Sequence, residues 1–220
     1  MLLMLPACAQ NSVEKKPEFA DTIKTSKPPI ADSASEGSGC ADEPPYDYPT
    51  DLKGGYRLVY RTDSEFMYLD LYKGAQMIKE LTSFSCGLLH KNLGYIAADF
   101  DDMFVLAHSY GGGNPHEVEL LRKSDGVNFL AKYKEACWVG ADEKHSVFIY
   151  STHCVPEAGD TITLLNLRNG KKLHIGLPKA MLNESMILGR IDINKVTQSS
   201  ITLKFNNSSG SPIQSSTYEY

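Results

Sequence analysis

The stretch Cys137 to Ile175 constrains the fold most strongly. It reads CWVGADEKHSVFIYSTHCVPEAGDTITLLNLRNGKKLHI. Short apolar runs at 138–141, 147–150 and 161–167 are broken by polar turns, and Asn169-Gly170 leads into a last run at 172–175. Asn-Gly between two such runs marks a β-hairpin, because both residues tolerate the positive φ of a type I′ turn. The stretch therefore predicts a four-stranded antiparallel meander.

Much of the remaining chain repeats this outline. Tyr68 to Leu81, Val118 to Tyr133 and Ile162 to Ile175 each show an apolar strand, a turn ending in glycine, and a second apolar strand. The glycines are Gly74, Gly126 and Gly170, spaced by 52 and 44 residues. Each unit follows a hairpin with a polar bend, at Thr62-Asp63-Ser64, at 99–102 and at 142–145. A partial unit runs from Met186 to Phe205, and 213–220 reads as one last strand. Asn114-Pro115-His116-Glu117 has the form of a helix start, but Asp125-Gly126 and the match to the other hairpins favour strands. Lys179 to Leu182 fits a single helical turn.

The fold class expected is all-β, antiparallel, in four-stranded meander repeats. Units of this length resemble the blades of a β-propeller in architecture, and no named blade motif is present. In a closed propeller the first unit, read here with three strands, would take 213–220 as its missing strand. A β-sandwich or an irregular barrel is the alternative.

The N-terminus has another character. Residues 1–50 hold four Lys against eight acidic residues, and the remaining 170 hold 18 basic against 19 acidic. A near-neutral domain lacks the basic patch that nucleic acid requires, so none is expected as a partner. Leu5-Pro6-Ala7-Cys8 resembles the lipobox of bacterial lipoprotein signal peptides, although no Lys or Arg precedes the apolar run. That resemblance implies a lipid on Cys8. With Ala at position 9 it implies anchoring in the outer membrane, facing the periplasm or the cell surface. Residues 9–50 are rich in Pro, Ser, Lys and Glu, and read as a disordered tether that offers little apolar surface to bury. The organisation expected is thus a signal remnant (1–8), a tether (9–50) and one all-β domain (51–220).

Setting Cys8 aside, Cys40, Cys86, Cys137 and Cys154 remain, an even number that fits two disulfides in an exported chain. Cys137–Cys154 is preferred, since the two flank one hairpin, which leaves Cys40–Cys86. Cys86–Cys137 is the rival pairing. With the turn centred between Glu143 and Lys144, Cys137 would face Tyr150.

Candidate chemistry is sparse. His108, Tyr110, Asn114 and His116 surround Gly111-Gly112-Gly113, where backbone can approach a ligand closely. The loop meets no phosphate-binding or nucleophile pattern. Asp99, Asp101 and Asp102 form an acidic bend without the spacing of a calcium loop, so it is read as an empty turn. His145 and His153 stand on either side of one strand with no third ligand evident. No metal site and no cofactor are expected. Of the twelve tyrosines, Tyr56, Tyr60, Tyr68, Tyr72, Tyr95, Tyr110, Tyr133 and Tyr150 lie on or beside expected strands and read as half-buried structure.

These features point to a non-catalytic, lipid-anchored envelope protein that binds another protein or an envelope polymer. An immunity-type lipoprotein against an envelope toxin is one version, and a structural subunit of an envelope assembly is another. The alternative from a different class is an envelope hydrolase acting on glycan or peptide through His108 and His116.

Overall fold

A computed structural model describes residues 50–220, apart from 64, 87–92, 110–115, 134, 158–159 and 184–185. The fold is all-β, and the described residues form three antiparallel sheets with no closed barrel among them. The first sheet runs in chain order: β1 (Thr50–Leu52), β2 (Tyr56–Thr62), β3 (Phe66–Lys73) and β4 (Gln76–Ser85). The second comprises β5 (Tyr95–Asp99), β6 (Met103–His108), β7 (Glu117–Arg122), β8 (Cys137–Asp142), β9 (Val147–Ser151), β10 (Thr161–Asn166) and β11 (Lys172–Gly176). The third is β12 (Ile191–Val196), β13 (Ser200–Asn206) and β14 (Pro212–Glu219). No helix among the described residues is long and apolar enough to cross a membrane.

The meander expected over Cys137–Ile175 is β8 to β11, neighbour to neighbour. The second sheet is two meanders hinged at one residue pair, Glu117 opposite Cys137. β6 and β9 are apolar along their lengths on both faces, and each serves two cores. Phe104 and Leu106 of β6 join Leu58, Leu69 and Leu71 of the first sheet, while Val105 and Ala107 join Leu120 and Tyr150. In β9, Phe148 and Tyr150 face that same core, and Val147 and Ile149 join Leu203 and Phe205 of the third sheet. A strand buried on both sides reads as a continuous apolar run, as Phe104 to Ala107 and Val147 to Tyr150 do. Where β12 packs against β8, a glycine leaves room for a side chain: a Cβ on Gly140 of β8 would lie 3.0 Å from the Ile193 side chain of β12.

The structure departs from the expected repeat in three places. Residues 127–133 form no strand beyond a bridge between Leu121 and Asn128. Asn128 Oδ1 accepts the Leu130 N–H at 2.8 Å, and this local bond turns the chain where a second strand was expected. The first unit has its own fourth strand in β1, which pairs with β2. Accordingly, β14 pairs with β13 and does not complete the first unit. The 117–122 segment is a strand in spite of its helix-start signal, and a short 3₁₀ helix covers Lys179–Asn183.

Cys137 and Cys154 are disulfide-bonded, with Cα atoms 5.2 Å apart. The rival Cys86–Cys137 pairing is therefore overturned. The turn is centred one residue later than expected, between Lys144 and His145, and a bulge at Val139 takes back part of that displacement, so Cys137 faces Ser151 and not Tyr150. That shift leaves a shorter return to Cys154. Cys86 is also disulfide-bonded. Cys8 and Cys40 lie outside the described residues.

Candidate functional site

The bends at one end of the meanders converge on a cavity of about 340 Å³. Its apolar lining comes from Tyr56, Phe100, Met103, Phe129 and Leu167. Its polar groups come from the β5–β6 bend (Asp101, Asp102), the end of β7 (Arg122, Lys123), and the β8–β9 and β10–β11 bends (Ser146, Arg168). An apolar pocket of this size with a few convergent polar groups is the usual form of a ligand site.

Buried charge holds the site together. Lys123 is 1 % exposed, yet its Nζ lies 2.7 Å from Asp99 Oδ1 and donates to the carbonyls of Phe100 and Lys53. Two carbonyl acceptors and a carboxylate at ion-pair distance thus surround the ammonium, which is what makes burying such a group tolerable. Asp99 is shared further: its Oδ2 accepts the Lys53 N–H at 2.7 Å, and its own N–H donates to Glu143 Oε1 at 2.9 Å. Lys53 Nζ closes the circuit on Glu143 Oε2 at 2.7 Å. Burial pushes the Glu143 carboxyl up, but the bonds from Lys53 and from the Asp99 amide outweigh it and hold the group below the ordinary range. The bond from Glu143 in turn raises Lys53. The network ties the β1–β2 linker, β5, the end of β7 and the β8–β9 bend into one frame.

The rim is aromatic and cationic. Arg122 is held by Asp125, with Nε 2.9 Å from Oδ1, and its guanidinium lies 5.4 Å from the Phe129 ring centre. Phe129 is 45 % exposed beside Val127 at 43 %, so two apolar side chains stand open next to a stacked arginine. Arg168 donates to Ser146 Oγ at 3.2 Å and to the Lys144 carbonyl at 2.8 Å, both neutral acceptors. Ser146 has a left-handed φ of 58°, and its carbonyl accepts the Leu167 N–H at 2.8 Å, which locks the two bends together.

Of the residues nominated from sequence, His108 and His116 lie elsewhere. His108 ends β6 and is buried, 3.1 Å from where a Cβ on Gly94 would sit. His116 contacts the Tyr95 hydroxyl through Nδ1, their rings edge-on at 5.7 Å, and burial raises the Tyr95 phenol. Tyr110 and Asn114 lie outside the described residues. Met103 lines the cavity at the other end of β6, so the two ends are about 17 Å apart at strand rise. Of the acidic bend, Asp99 is engaged by Lys123 and Lys53, while Asp101 and Asp102 line the cavity. No three potential metal ligands gather among the described residues. His145 bonds Asp142 at 2.7 Å, and His153 is 3.7 Å from Asp160. Tyr56, Tyr60, Tyr68, Tyr72, Tyr95 and Tyr133 are half-buried as expected, whereas Tyr150 is fully buried.

Sequence reasoning missed Lys53, Lys123, Glu143, Phe129 and Arg168. The one available signal was the Asp-Gly turn beside Lys123 and Phe129; nothing local marks a lysine for burial. Comparison with known proteins finds no match: no family model, no curated protein and no solved structure matches this chain.

Proposed function

We propose that the chain is a non-catalytic binding protein of the bacterial envelope, anchored by a lipid on Cys8 and recognising another protein or an envelope polymer. The cavity at the bend end supports this reading most. Exposed Phe129 under Arg122, beside an apolar hollow, provides the aromatic and arginine anchors on which binding surfaces rely. Asp101, Asp102 and Arg168 place both signs of charge around it, which orients a partner more than it tightens it. The ion network beneath keeps the shape in place before binding, so less order is lost on association. The Cys137–Cys154 bond fits an oxidising compartment. The Pro-rich tether fits a domain held off a membrane.

The test is crosslinked co-purification of the C-terminally tagged chain from its native envelope. The wild type should enrich one partner or polymer, and Phe129→Ala/Arg168→Ala should lose it while remaining folded. His108→Ala/His116→Ala should retain it. Retention by the cavity variant with loss by the histidine variant would reject this reading in favour of the hydrolase alternative. Fractionation of Cys8→Ser addresses the anchor separately: a variant that still sediments with membranes is not held by a lipid on Cys8.

A further inference from the structure

Among the described residues, the outer edges of the three sheets differ in how they resist pairing. β1 is three residues long. β4 carries Lys79 and Glu80 and breaks its ladder with β3 twice. β5 breaks at Ala97, and β12 breaks at Asn194 and carries Lys195. β11 opens on Lys172. Short length, bulges and charge are the devices by which sheet edges avoid other chains. β14 lacks them along most of its length. Its ladder with β13 is unbroken from Gln214 to Glu219, and Ile213 to Tyr218 carries no charge, proline or glycine.

The direction of its backbone follows from one bond. The Tyr220 N–H donates to the Ser199 carbonyl at 2.9 Å. Groups alternate along an antiparallel strand, so Ser216 and Tyr218 also turn toward β13. Ser215, Thr217 and Glu219 then turn their N–H and C=O groups away from it. The 2.8 Å contact between the Thr217 and Thr202 hydroxyls agrees, since side chains approach most closely at the pairs not bonded through the backbone.

We propose that this edge is an interaction surface and that a second copy of the chain occupies it, β14 against β14, about a two-fold axis. A two-fold contact requires a patch complementary to itself. Antiparallel pairing centred on Ser216 sets Ser215 opposite Thr217, so that both present outward backbone groups to each other. It sets Gln214 opposite Tyr218 and Glu219 opposite Ile213. The one charged residue of the strand never meets its own copy, and no like charges face each other. Pairing joins the two third sheets into one continuous sheet.

Sedimentation velocity on the full chain carrying Cys8→Ser, so that no lipid joins the copies, tests this over a wide concentration range. The mass should double as concentration rises. Adding Thr217→Pro removes an outward N–H and leaves the β13 ladder whole, and this variant should stay monomeric with an unchanged circular dichroism spectrum. Adding Ser215→Lys, which places a charge at the edge without a backbone constraint, should do the same and serves if the proline variant fails to fold. Hydrogen exchange at Ser215, Thr217 and Glu219 should slow only as concentration rises. A chain that is monomeric at every concentration overturns the proposal. So does dimerisation of both variants at the wild-type level. Protection of those amides that is independent of concentration also overturns it, because another part of the same chain then covers the edge.

Discussion

The two ends of β6 carry opposite kinds of polar structure. At the Met103 end, Lys53, Asp99, Lys123 and Glu143 come from four separate segments and are bound to one another beneath an open cavity. At the His108 end, a buried imidazole packs against Gly94, and a second imidazole meets a tyrosine hydroxyl. The first end spends its charge on holding a hollow open; the second closes up. A loop rich in His and Gly attracts a functional reading from sequence. Here, however, the end that gathers charge, aromatic rings and space is built from bends that read individually as ordinary turns.

Deleting the keystone of the first end should have the largest effect. Lys123→Met leaves the Asp99 carboxylate and two carbonyls without their shared donor. The expected loss is about 3–5 kcal/mol in denaturant unfolding, the range for breaking a buried pair on one side. A loss below that of an exposed pair would show that the network is ornamental and would erase the contrast between the ends.

At the second end, Gly94→Ala should cost about 3 kcal/mol. Gly94 has a φ of 98°, and a Cβ there would lie 2.7 Å from Leu106. A neutral outcome would mean that the His108 end is loosely packed.

The disulfide lies close to the hinge between the two meanders. Cys154→Ser opens a loop with a sequence separation of 17 and should lower stability by about 3 kcal/mol, read as a fall in Tm. The binding proposed for the cavity end should persist in that variant, since none of the cavity residues depends on the bond.

The smallest effect should come from Glu143→Gln. This pair with Lys53 is 44–46 % exposed, so it contributes well under about 1 kcal/mol. The sign with pH is definite. Glu143 titrates lower in the folded chain than in the unfolded one. Its contribution is therefore whole above the unfolded pKa and disappears as pH falls through the folded value. Acid titration followed by circular dichroism should show a shallower acid-side decline in Glu143→Gln than in the wild type.

Much of the fold was legible, for local reasons. The chain turned at Asn169-Gly170 as expected, with Gly170 at φ 71°, but through a four-residue loop (167–170) and not a type I′ turn, since Asn169 is not at positive φ. Alternating and continuous apolar runs named β6, β9, β10 and β13, because the side-chain period of a strand is a property of the strand itself. The failure at 127–133 was local too: Asn128 offers its own carbonyl to a nearby amide, and that bond competed with the apolar pattern. The candidate site was far less legible. Lys123 reads like any lysine in a turn, and its burial follows only from the arrival of Lys53 and Asp99, 70 and 24 residues away in sequence.

By itself, then, the sequence determined the all-β class, the meander at 137–175, most strand positions and the preferred Cys137–Cys154 pair. Each rests on turn chemistry or on short-range periodicity. Tertiary structure alone decided which faces share a core, that β14 stays with β13, and that the bends gather around Lys123. Those outcomes depend on contacts between residues far apart in the chain, where side-chain type is given but distance is not. A buried ammonium is tolerable only when its acceptors are brought to it from elsewhere, and that is a condition of three-dimensional assembly.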